Sequence, residues 1–141
     1  MVEELVNEYG TNNPYEIAKA KNIYVFEHSM HEEIYGFYKY IRRNKFIYIN
    51  SDLGEKQKIY TCSHELGHSF IHPRIDTPFL KRKTLFSLDK LENEANRFAV
   101  ELILSDSLLT EYLKHMTIQD IASLHELPLE LVEIKCKKLI L

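Results

Sequence analysis

The pentapeptide His64-Glu65-Leu66-Gly67-His68 constrains this chain more than any other stretch. Residues four apart on an α-helix share a face, because 3.6 residues complete a turn. Two imidazoles placed in this way can hold one metal ion. The glutamate between them is within reach of a water on that ion. This is the mechanical content of H-E-x-x-H: two zinc ligands and a general base. The spacing demands a helix, and the surrounding residues supply one. Ile59, Cys62, Leu66 and Phe70 form an apolar stripe over residues 55–72, and Pro73 stops the helix. A metal site on a core-packed helix is rigid.

The flanking sequence predicts a mixed α+β domain. Residues 2–9 read as a short helix ended by Gly10, and Asn13-Pro14 starts a second that runs to about Asn22. Ile23-Tyr24-Val25-Phe26, residues 34–41 and residues 45–49 are β-branched and aromatic, and predict three strands of a small antiparallel sheet. Arg42-Arg43-Asn44-Lys45 suits a hairpin turn between the last two. Asn50-Ser51-Asp52 closes the third strand and can cap the motif helix. Residues 73–88 read as irregular, with a basic patch at Lys81-Arg82-Lys83 and a short strand at Thr84-Leu85-Phe86.

Asp89-Lys90-Leu91-Glu92 has a capping-box pattern, followed by a helix to Leu104 with Ala95, Phe98, Ala99 and Leu102 on one face. Ser105-Asp106, Thr117-Ile118-Gln119-Asp120 and Pro128 open three more helices, the last with Leu129, Val132, Cys136 and Leu139 on one face. The expected division is a zincin-like core over 1–105, its sheet packed on the motif helix, and a C-terminal helical extension over 106–141.

A net charge of −3 argues against binding nucleic acid through bulk electrostatics. No apolar run reaches the roughly 20 residues of a membrane span. The acidic start Met1-Val2-Glu3-Glu4 is unlike a signal peptide, and two cysteines make no disulfide scaffold, so a reducing cytoplasm is expected.

Zinc held by two histidines needs a third protein ligand and leaves a position for water. Glu92 and Glu94 are both in range. The reading favours Glu94, which sits beside the small Ala95, because Glu92 has a competing task as the capping-box acid. His72 is about 12 Å along the helix from His64, too far for both to join His68 on one ion. The metzincin pattern is absent, with Ile71 and Arg74 where its glycine and third histidine would stand. Cys62 reads as core, and His28, His31, His115 and His125 as surface residues.

Taken together, His64-Glu65-Leu66-Gly67-His68-Ser69-Phe70-Ile71-His72 and Glu92-Asn93-Glu94-Ala95-Asn96-Arg97-Phe98-Ala99-Val100-Glu101-Leu102 resemble the ImmA/IrrE metallopeptidases. Gly36-Phe37 and Ile47-Tyr48-Ile49-Asn50 match the run-up to that family's motif helix. The resemblance covers roughly residues 14–105, and departs where Ser105 stands in place of the family's usual proline. It implies a gluzincin-like zinc endopeptidase with His64, His68 and Glu94 on zinc and Glu65 as general base. It also implies a protein substrate, a helix-turn-helix repressor of a phage or mobile element, whose cleavage derepresses genes. Tyr35, Tyr38, His72 and Arg97 are candidates for the donor that stabilises the oxyanion.

Two rivals stand beside this reading. One is a zinc-containing anti-repressor that sequesters its partner without cutting it, for which Glu65 would have no task. The other is DNA contact through 117–141, which resembles a helix-turn-helix. Asp120, Glu126, Glu130 and Glu133 offset Lys135, Lys137 and Lys138 there, which argues for a helical cap instead.

Overall fold

The computed structural model describes residues 1–77, 80–81 and 90–140. The basic patch beyond Lys81, the strand expected at 84–86 and the cap residue Asp89 lie outside the described residues. Among the described residues, seven helices and four strands follow one another: α1 (Val2–Tyr9), α2 (Pro14–Ala20), β1 (Tyr24–His28), β2 (Ile34–Ile41), β3 (Asn44–Asn50), α3 (Glu55–Ile71), β4 (Leu80–Lys81), α4 (Lys90–Ile103), α5 (Asp106–Tyr112), α6 (Ile118–His125) and α7 (Leu129–Ile140). The α+β class follows from this order.

Local chemistry explains most of the boundaries. Gly10 ends α1 in the left-handed region at φ 66°. The Asn13 side chain accepts from the Tyr15 amide at 2.9 Å to start α2. Ser105 caps α5, and Thr117 with Asp120 closes a capping box on α6. The hairpin between β2 and β3 is tighter than the sequence suggests. Ile41 pairs with Asn44, leaving only Arg42 and Arg43 in the turn, both at positive φ. That twist matches a two-residue turn between antiparallel strands.

The sheet has the order β1-β3-β2-β4 and is mixed rather than antiparallel. β1 runs parallel to β3, with Tyr24 opposite Phe46 and His28 opposite Asn50. The cause is the connection at 29–33, which carries the chain past the end of β3 before β2 begins. Asn50 pins that crossing. Its buried amide donates to the carbonyls of His31 and Ile34 (3.2 and 2.8 Å), and its oxygen accepts from the amides of Met30 and Asp52 (3.3 and 3.0 Å). Asn50 therefore serves the crossover. The residue that caps α3 is Gly54, which gives no side-chain bond.

Helix α3 lies between two apolar clusters. One joins α1, α2 and the sheet through Leu5, Ile17, Tyr38, Ile47, Cys62 and Leu66; the other joins Tyr60 and α4 to α5–α7 through Ala99, Leu109, Ile121 and Val132. The expected amphipathic helix is therefore buried all round from Tyr60 to Ser69. Its polar residues turn inward on the helix: Thr61 donates to the Gln57 carbonyl and Ser69 to that of Leu66. Gly36 lets β2 lie directly on this helix, since a Cβ there would fall 2.8 Å from Thr61 Cγ2 and 2.3 Å from the Tyr48 carbonyl oxygen. The C-terminal helices are built into the second cluster, and Lys135 of α7 is itself buried, paired with Glu101 and Asp106.

Candidate metal centre and active site

The motif residues sit where α3 meets α4, all three fully enclosed. His64 and His68 rise one turn apart, ring centroids 4.9 Å apart and nearly perpendicular. Their ligand atoms and one from Glu65 lie within 4.8 Å of one another. The carboxylate that meets the pair comes from Glu92, in the first turn of α4. Its two oxygens lie 3.1 Å from His64 Nε2 and 2.8 Å from His68 Nε2.

The structure places Glu94, the ligand favoured by the sequence reading, away from His64 and His68. Glu94 Oε2 lies 3.7 Å from His72 Nε2, and Glu92 holds the place beside His64 and His68. The Glu92 carboxylate goes to the histidines of the neighbouring helix. Residues two apart on a helix do not share a face, so only one of the two glutamates can reach a given site.

The donor set fits a zinc-type cation. It is two imidazoles and a carboxylate, the combination found in three-ligand catalytic sites. His68 Nε2 and Glu92 Oε1 are buried and 2.8 Å apart, and His64 Nε2 lies 3.1 Å from the other Glu92 oxygen, so both imidazoles turn a nitrogen to one carboxylate. Burial alone would push the Glu92 carboxyl up. Hydrogen bonds to His64 and His68 outweigh it and bring the carboxyl down to about 2, so Glu92 is an anion at neutral pH.

Glu65 is the opposite case. Burial drives its carboxyl up to about 8; the nearby His68 and the Thr77 hydroxyl oppose that rise, and Glu92 adds to it. Two carboxylates thus stand in one site with opposite tendencies, one fixed as an anion and one ready to exchange a proton near neutral pH. Thr77 is a site residue that the sequence does not reveal, since it lies in an irregular stretch. Its hydroxyl accepts from the Tyr38 amide at 3.0 Å and lies 3.3 Å from Glu65 Oε1. It ties the Glu65 carboxyl to β2.

Of the four candidate oxyanion donors, Tyr38 is fully buried and gives its hydroxyl to the Pro73 carbonyl. His72 turns Nδ1 to His68 Nδ1 at 3.1 Å, and Arg97 is exposed beside Phe98 in α4. Tyr35 packs in part against both apolar clusters. Tyr60 also borders the site: its hydroxyl donates to Asn96 at 3.0 Å and its ring lies 6.2 Å from that of His64. Cys62 is core, and burial pushes its thiol well up. Three of the other four histidines are exposed; His125 is half-buried and pairs with the Tyr112 hydroxyl at 3.0 Å.

Sequence comparison identifies the family. The Peptidase_M78 family model, described as the IrrE N-terminal-like domain, matches residues 18–137. The chain is 50% identical over 135 residues to immunity region protein 2 of Bacillus phage phi105, covering 95% of this chain and 85% of that one. It is 33% identical over 132 residues to the metallopeptidase ImmA of Bacillus subtilis strain 168, covering 90% and 76%. No helix among the described residues is long and apolar enough to cross a membrane. A buried His-Glu-His group, an anionic glutamate from the next helix and a family match over most of the chain lead to one conclusion: this chain belongs to the M78 peptidase family, alongside the metallopeptidase ImmA.

Proposed function

We propose that the chain is a zinc-dependent endopeptidase with His64, His68 and Glu92 as ligands and Glu65 as general base, acting in the cytoplasm on a helix-turn-helix repressor of a phage or mobile element. The observation that carries the proposal is the convergence of two imidazole Nε2 atoms on the Glu92 carboxylate, next to a second, high-pKa carboxyl.

His64, His68 and Glu92 would hold the zinc, which would supply Lewis acidity toward an attacking water and the peptide carbonyl. Glu65 takes the proton of the attacking water and returns it to the leaving amine. Burial raises the Glu65 carboxyl to about 8, and a cation beside it would lower it toward the range where it works as a base. Thr77 orients it by holding one oxygen, which leaves the other free to face the water.

Support for the substrate class comes from the phage relative, whose name places it in an immunity region. The test is direct. Zinc-loaded protein is incubated with a helix-turn-helix repressor from the same immunity region, and fragments are identified by mass spectrometry. Wild type is expected to cut and Glu65→Gln to bind without cutting. Stable binding with no product from the wild type would instead favour sequestration of the repressor.

A further inference from the structure

We propose that His72 and Glu94 form a relay behind the metal centre that fixes the ring of His68, with Glu94 facing the proton on His72 Nε2 and His72 Nδ1 accepting the proton on His68 Nδ1. The proposal rests on His64, His68 and Glu92 being the ligands.

An imidazole that offers Nε2 to a cation carries its proton on Nδ1. His68 Nε2 is the nitrogen turned to Glu92, so Nδ1 is the protonated one. It points at His72 Nδ1, 3.1 Å away. A contact between two Nδ1 atoms holds only one proton, so His72 is the acceptor and its own proton is on Nε2. Among the described residues that nitrogen is buried without a hydrogen bond, and the carboxylate facing it is Glu94, with Oε2 at 3.7 Å. Helix α4 therefore presents two acids to two sides of His68: Glu92 to its ligating nitrogen, and Glu94, through His72, to the opposite one.

The backbone favours this use of His72. It is one turn beyond His68 and ends α3 at φ −129°, ψ 56°, which turns its ring off the helix line and back toward His68. The two ring centroids lie 5.3 Å apart. His64 has no such support: among the described residues its Nδ1 is buried without a hydrogen-bond partner. Outer partners of a metal-bound histidine set its tautomer and orientation, and losing them weakens metal binding by about 10–100-fold.

Zinc affinity is measured on the full chain by competition with a chromophoric chelator, together with 15N NMR of the histidine rings. In His72→Leu, the zinc Kd is expected to rise about 10–100-fold. In His72→Asn, whose side-chain oxygen can take the place of Nδ1, most of that loss is expected to be recovered. Glu94→Gln is expected to weaken binding less than His72→Leu. The zinc-loaded wild type should show a slowly exchanging His68 Nδ1 proton that is lost in His72→Leu and kept in His72→Asn. Unchanged affinity and an unchanged His68 signal in His72→Leu would overturn the relay, as would failure of Asn to recover any affinity. His64→Ala and Glu92→Gln separate the two levels. If they retain wild-type zinc affinity, the ligand assignment itself falls; if they lose zinc and His72→Leu does not, only the relay falls.

Discussion

Gly67 of the motif lies directly under Phe98 of α4: a Cβ at position 67 would stand 3.0 Å from Phe98 Cβ and 3.1 Å from its ring. The motif glycine thus sets how closely α4 approaches α3, and through it where Glu92 arrives. We predict that Gly67→Ala destabilises the fold by about 1–3 kcal/mol, the usual cost of overfilling a packed contact. Zinc affinity should fall as well, because Glu92 is displaced. Thermal melting and a zinc titration of the same sample check both parts.

Glu65 is fully buried, and among the described residues one of its oxygens lacks a hydrogen bond. Its carboxyl is raised, so the folded chain holds a proton that the unfolded chain releases. Its contribution to stability therefore declines as pH rises from about 4.5 to about 8. We predict that metal-free Glu65→Gln is more stable than wild type at pH 8, by on the order of 1–3 kcal/mol, with the gap closing toward pH 5. Paired denaturant titrations at the two pH values measure it.

Asn50 holds the crossover that makes β1 and β3 parallel, and five of its bonds go to backbone groups. Asn50→Ala leaves those groups without partners in a buried place, a loss of about 2–4 kcal/mol. Asn50→Asp should also destabilise, because the amide that donates to the carbonyls of His31 and Ile34 is gone. Urea unfolding of the two variants tests this.

Lys135 links α7 to α4 and α5 through Glu101 and Asp106. Both acids retain some exposure, so the loss is smaller than for a fully enclosed pair. We predict that Lys135→Ala costs about 1–3 kcal/mol and leaves zinc binding intact, since the pair lies outside the donor set. Chemical unfolding with parallel zinc analysis distinguishes this from a change at the centre.

Much of this was legible from local signals. The spacing of His64 and His68 fixes a helix and a shared face, and Asn13, Ser105 and Thr117 announce helix starts that the structure has. Choices set by distant partners were not legible. The direction of β1 depends on where the 29–33 connection crosses, which Asn50 decides from twenty residues away. The choice between Glu92 and Glu94 depends on the phase of α4 against α3, which the Gly67–Phe98 contact sets and no local pattern encodes. Thr77 carries no periodic signal and gains its role only by lying beside β2.

The measurement closest to the central claim is zinc content by mass spectrometry on wild type, Glu92→Gln and Glu94→Gln, purified alike. About one zinc per chain is expected in the wild type, with most of it lost in Glu92→Gln and retained at saturating zinc in Glu94→Gln. Retention in Glu92→Gln with loss in Glu94→Gln would contradict the centre described here and return the third position to Glu94.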